Sequence, residues 1–88
     1  MKTAFTNAFL RDVRKLPDQA IREQVRNAIV TVEAAPDLRS VPNLKKLSGG
    51  GPYYRIRLGD HRVGLAVRDD VVTFVRVLPR KDIYRYFP

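Results

Sequence analysis

Apolar residues recur along this chain at two different periods. Phe9, Leu10, Val13 and Leu16, and then Ile21, Val25, Ala28, Ile29 and Val32, recur at helical spacing so that each set shares one face, which predicts two amphipathic helices. Asn7 is the expected N-cap of the first and Asp18 of the second. Leu16-Pro17 and Ala35-Pro36 end them, because a residue before proline disfavours helical geometry. From Tyr53 the period changes to two. Tyr54, Ile56 and Leu58 alternate with Tyr53, Arg55 and Arg57, and Val63, Leu65 and Val67 alternate with Arg62, Gly64, Ala66 and Arg68. Gly59-Asp60 and Asp69-Asp70 mark tight turns, so Tyr53 to Leu78 reads as three sequential strands. Val71 to Leu78 is the most apolar of them and is expected to be central.

Between the helices and the strands, residues 36–52 hold three prolines and the run Gly49 to Gly51, which predicts a long connection anchored by Leu38, Val41, Leu44 and Leu47. Met1 to Thr6 begins as an edge strand. After Pro79 a short tail, RKDIYRYFP, is expected to pack Ile83 and Phe87 and leave its charges wet. Two helices covering the apolar face of a sheet make two layers. The expected fold is therefore a single α+β domain over residues 1–88, an N-terminal helical hairpin on an antiparallel β-meander in the order β-α-α-β-β-β.

Charge changes this picture more than composition does. Seventeen Lys and Arg oppose nine Asp and Glu, a net charge of +8. Residues 1–44 carry 7 basic and 5 acidic side chains (+2) and residues 45–88 carry 10 and 4 (+6), so the excess lies with the strands. Such a surface favours polyanions. The absence of cysteine excludes disulfides and thiolate metal sites, and one histidine makes a structural metal improbable. Neither a membrane span nor a signal peptide is apparent, and a cytoplasmic location is expected.

The candidate chemistry is arginine chemistry. Alternation puts Arg55 and Arg57 on the polar face of one strand, with Arg62 across the hairpin and Arg80 after the third strand. Guanidinium presents a planar fork of donors that fits phosphate oxygens. The same residues also read as a solvated strand face, and alternation alone does not separate the two. Lys45, Lys46 and Lys81 are further candidate substrate contacts. His61 is either an acid–base group or a polar turn residue. Tyr84 and Tyr86 either stack on bases or close the edge of the core. No Ser-His-Asp set, paired-carboxylate motif or phosphate-binding glycine loop is present, and no cofactor is expected.

The segments FLRDVRKLP, KKLSGGGPYYRIRLGDHRV, VVTFVRV and RKDIYRYF, in this order and spacing, resemble the RelE/ParE superfamily of toxins from bacterial and archaeal toxin–antitoxin pairs. The resemblance covers nearly the whole chain and implies the same β-α-α-β-β-β order. It implies one of two activities: ribosome-dependent mRNA cleavage in the A site, as in RelE-like members, or inhibition of DNA gyrase without nuclease chemistry, as in ParE-like members; the charge alone leaves a third reading, a catalytically weak basic nucleic-acid-binding protein. The ending R-K-D-I-Y is closer to the RelE branch. By that match Arg80 and Tyr84 belong to the active site, Arg62 stands for the middle-strand arginine, and Arg55 and Arg57 occupy positions where the family pattern has lysines. His61 replaces the aromatic residue usual in G-D-Y-R. Ribosome, mRNA and a cognate antitoxin are the implied partners.

Overall fold

The computed structural model describes all residues from Met1 to Pro88. Strand β1 (Lys2–Phe5) is followed by helices α1 (Asn7–Arg14) and α2 (Gln19–Ala34). Strands β2 (Leu44–Lys46), β3 (Tyr53–Leu58), β4 (His61–Arg68) and β5 (Val71–Pro79) come next, and a one-turn helix, α3 (Ile83–Tyr86), closes the chain. The sheet order is β1-β5-β4-β3-β2. All neighbours are antiparallel except β1, which pairs parallel with β5. The α+β two-layer expectation holds, as does the helical hairpin.

Four local readings change. The N-cap of α1 is Thr6, not Asn7: its hydroxyl accepts from the Phe9 amide at 3.0 Å and donates to the Val75 carbonyl at 2.7 Å, tying the helix start to β5. Asp18 does cap α2, accepting from the Ile21 amide. The proline-rich connection contains a 3-10 turn at Leu38–Ser40 and the edge strand β2, so the meander gains a fourth antiparallel strand. The tail forms a helical turn. Strand β5 is interior, but β4 occupies the middle of the sheet.

Directly paired residues share a sheet face, so the register sorts the side chains. Leu44, Ile56, Val63 and Val77 form one row towards the helices; Tyr54, Leu65 and Phe74 form another, and Val67 and Val72 a third. These residues meet Phe9, Leu16, Ile21, Val25 and Val32 in one core. The register jumps from Gly64↔Arg76 to Leu65↔Phe74, leaving Val75 as the extra residue of a bulge. That phase change lets Val72 and Phe74 before it and Val77 after it all face the helices. No helix is long and apolar enough to cross a membrane.

The opposite face carries Tyr53, Arg55 and Arg57 from β3 and Arg62, Gly64 and Ala66 from β4. No helix of the hairpin covers it. The tail folds across it instead: Ile83 and Phe87 are fully buried yet lie outside the main core. Phe87 meets Tyr53 edge-on at 5.6 Å. A Cβ on Gly64 would lie 2.6 Å from the Phe87 ring, so glycine is what lets the ring lie flat on the strand.

Candidate anion-binding site on the open sheet face

The strand register puts Arg55, Arg57 and Arg62 together on the open face, and the chain after β5 adds Arg80. Arg57 pairs directly with Arg62, and Arg55 lies one row along, opposite Gly64 on one side and Lys45 on the other. Arg80 follows β5, and its amide donates to the Asp60 carbonyl at 2.7 Å, which pins the start of the tail to the β3–β4 turn. Like charges on paired positions repel. A fold retains such an arrangement at a cost, which an anion held between the guanidiniums would offset.

Arg62 is the centre of the group. It is only 9% exposed, and its guanidinium Nη1 donates to the carbonyls of Gly59 at 2.6 Å and His61 at 2.9 Å. No carboxylate meets it. Burial lowers its pKa, and the neighbouring charges of Arg55, Arg80 and Arg57 lower it further, while Tyr84 acts in the opposite direction. The guanidinium remains charged across the physiological range. Arg55 donates to the Asn43 carbonyl at 2.9 Å, which extends its side chain along the sheet edge. The chain forms only two salt bridges, Arg39–Asp37 and Arg76–Asp12, so Arg55, Arg57, Arg62 and Arg80 are all without a protein counterion.

Tyr84 is 58% exposed on α3, and it joins Lys45, Lys46, Leu47 and Ser48 in lining a cleft between the β2–β3 connection and the tail. The structure thus brings Arg55, Arg57, Arg62, Arg80 and Tyr84 together and places Lys45 and Lys46 beside the tyrosine. Lys81 is exposed in the turn before α3, without a hydrogen bond. His61 stands apart. It is the first residue of β4 rather than a turn residue, shares its row with Leu58 and Pro79, and lines a pocket with Asp12, Lys15 and Leu16 on the helix side. Strand alternation points it away from Arg62.

Three residues that shape this face carry signals easily overlooked in the sequence. Asp12 is a charge at the i+3 position from Phe9, on the buried side of α1, and so requires a charged or hydrogen-bonding partner. Arg76 interrupts the apolar run VVTFVRV and is that partner. Gly64 interrupts an alternating strand, the usual mark of a close approach.

The comparisons with known proteins agree with this geometry. The family model described as the ParE toxin of type II toxin–antitoxin systems, parDE, matches residues 4–84. Toxin RelE3 of Methanocaldococcus jannaschii is 38% identical over 89 residues, covering 100% of both chains. The RelB-RelE antitoxin–toxin complex from Methanococcus jannaschii contains a chain with a TM-score of 0.82 and 36% identity, covering 97% of this chain and 99% of that one. In the archaeal RelE-RelB complex from Pyrococcus horikoshii OT3 the values are 0.74 and 27%, over 93% and 97%. With the family model spanning almost the whole domain and the named relatives being RelE proteins, the chain belongs to the RelE/ParE superfamily of type II toxin–antitoxin toxins and is RelE-like.

Proposed function

We propose that the protein is a ribosome-dependent endoribonuclease that cuts mRNA in the A site and so inhibits translation. The observation that carries this reading is the buried Arg62, surrounded by Arg55, Arg57 and Arg80 without a carboxylate. In this reading the 2′-oxygen of the message bonds to the adjacent phosphorus, the bond from phosphorus to the 5′-oxygen breaks, a 2′,3′-cyclic phosphate remains, and the leaving 5′-oxygen takes a proton from water or from the ribosome. Arg62 and Arg80 stabilise the charge that develops on the phosphorane-like transition state. Arg55 and Arg57, with Lys45, Lys46 and Lys81 further out, hold the backbone, and Tyr84 stacks on or positions the RNA. Arginine is a poor base. His61 faces the other layer, so the proposal gives it no proton. The 2′-hydroxyl proton passes to water or to a group that the ribosome contributes, which accounts for dependence on the ribosome.

A cognate antitoxin belongs to the same reading, since the two archaeal relatives named above were solved as complexes of RelE with RelB. An apolar groove between α1 and α2, lined by Phe5, Phe9, Leu10, Val13, Ile29 and Val30 and flanked by Arg22 and Arg26, suits the amphipathic, acidic segment of such a partner. Phe5, Leu10 and Val30 are all exposed there.

The match to the ParE family model favours a second reading, a gyrase inhibitor with no chemistry. One experiment with two arms separates them. Purified protein is added to ribosomes translating a defined message, whose ends are mapped, and in parallel to gyrase in a supercoiling assay. Cuts at A-site codons with normal supercoiling support the nuclease; intact mRNA with inhibited supercoiling establishes the alternative.

A further inference from the structure

The tail helix α3 is four residues long and lies on an otherwise bare sheet face, so something beyond its own backbone must fix its position. Ile83 and Phe87 anchor its two ends. Between them a third attachment runs from the opposite layer. Asp12, on the buried side of α1, receives both Nε (2.7 Å) and Nη2 (3.0 Å) of Arg76, a two-point fork. The same carboxylate accepts from the Val77 amide at 3.1 Å. Strand β1 pairs with β5 only as far as Phe74, so beyond that point the edge of β5 is open, and Asp12 takes the place of the missing strand.

Arg76 lies in the open-face row with Gly64 and Arg55, yet its guanidinium reaches the helix layer, so it wraps around the sheet edge at this gap. Its central carbon lies 5.7 Å from the centre of the Tyr86 ring on α3. A guanidinium is charged across the physiological range, so the Tyr86 ring faces a cation, and the hydrogen bonds to Asp12 raise the Arg76 pKa further.

We propose that Asp12, Arg76 and Tyr86 form a strut that holds α3 in register over the arginine cluster, which makes Arg76 and Tyr86 positioning residues for Tyr84. Neither touches the anion site. The strut links the helix layer, the sheet edge and the tail in one line, and it sets the face of α3 that carries Tyr84. The effect on RNA cleavage rests on the nuclease reading above; the effect on the tail does not.

The test compares Tyr86→Ala, Tyr86→Phe and Arg76→Lys with the parent protein in two measurements. Hydrogen–deuterium exchange in the peptide 80–88 reports the tail, and single-turnover cleavage of a message on programmed ribosomes reports Tyr84. Tyr86 is 55% exposed, so its truncation leaves the core intact. Tyr86→Ala is expected to speed tail exchange about fivefold, the size of a cation–π contact. It is expected to slow cleavage by a similar factor with ribosome affinity unchanged. Tyr86→Phe keeps the ring and is expected to match the parent in both. Arg76→Lys keeps the charge but loses the fork, and is expected to behave as Tyr86→Ala does. Should Arg76→Lys lower the melting temperature through its lost bonds to Asp12, Tyr86→Ala alone decides. Unchanged tail exchange in Tyr86→Ala overturns the strut. If the parent protein cuts no message, the nuclease reading fails and the strut is judged on exchange alone.

Discussion

Gly64 shows how much a single residue decides in this fold. With a Cβ 2.6 Å from the Phe87 ring, Gly64→Ala forces the ring off β4 or shifts the strand. It should cost roughly 1–3 kcal/mol, the usual range for overpacking. Combining it with Phe87→Leu should return part of that loss, a non-additivity measurable by denaturant melts of the four proteins. Arg62 makes the opposite case, a residue whose removal should harm function more than stability. Arg62→Ala loses two hydrogen bonds to the Gly59 and His61 carbonyls but relieves repulsion from Arg55, Arg57 and Arg80, and the two effects offset, so the melting temperature should stay close to that of the parent. The arginines were legible in the sequence because alternation assigns them a face. Their convergence on one face is also an expectation of the sequence; what the sequence does not show is how it is held, through the pairing of Arg57 with Arg62 and the tether from Arg80 to Asp60. His61 read as a neighbour of Arg62 in the chain, and in a strand that adjacency is what separates them.

At the scale of elements, α1 does more than cover the sheet. Thr6 and Asp12 satisfy the edge of β5 where β1 stops, so one short helix serves as a cap, a layer and a substitute strand. Asp12→Ala should therefore cost roughly 3 kcal/mol or more, because it orphans the Val77 amide and removes the partner of Arg76. Thermal unfolding checks this, and a loss below that of an ordinary surface substitution would contradict it. The helices, β3 and β4 were legible because each keeps a clean period over several turns or pairs, and β5 because it is an apolar run bounded by Asp69-Asp70 and Pro79. Strand β2 and helix α3 were not. Three residues of β2 give no period, and α3 exists only because Ile83 and Phe87 find a glycine and a bare sheet to pack on. The parallel pairing of β1 is likewise a tertiary outcome, since four residues say nothing about direction.

The whole molecule has one layer of helices, one sheet, and a second face left to a nine-residue tail and a cluster of unpaired cations. That asymmetry separates the groove on the helix side from the arginines on the other, so the proposed antitoxin segment and the proposed RNA would meet different faces. Binding of single-stranded RNA should be strongly salt-dependent, with a log–log slope of about −3 if the four arginines each neutralise a phosphate. Substituting Arg55 and Arg57 together should reduce that slope by about half. A slope near zero in the parent would show that the face does not bind phosphates. The most direct test of the central claim is the single-turnover rate at which the protein cuts a message held in the ribosomal A site, measured for the parent and for Arg62→Ala at matched melting temperature. The account predicts a loss of about 10²-fold or more, the size expected when a charge-stabilising donor is removed from a transition state. Equal rates for the two proteins would contradict it.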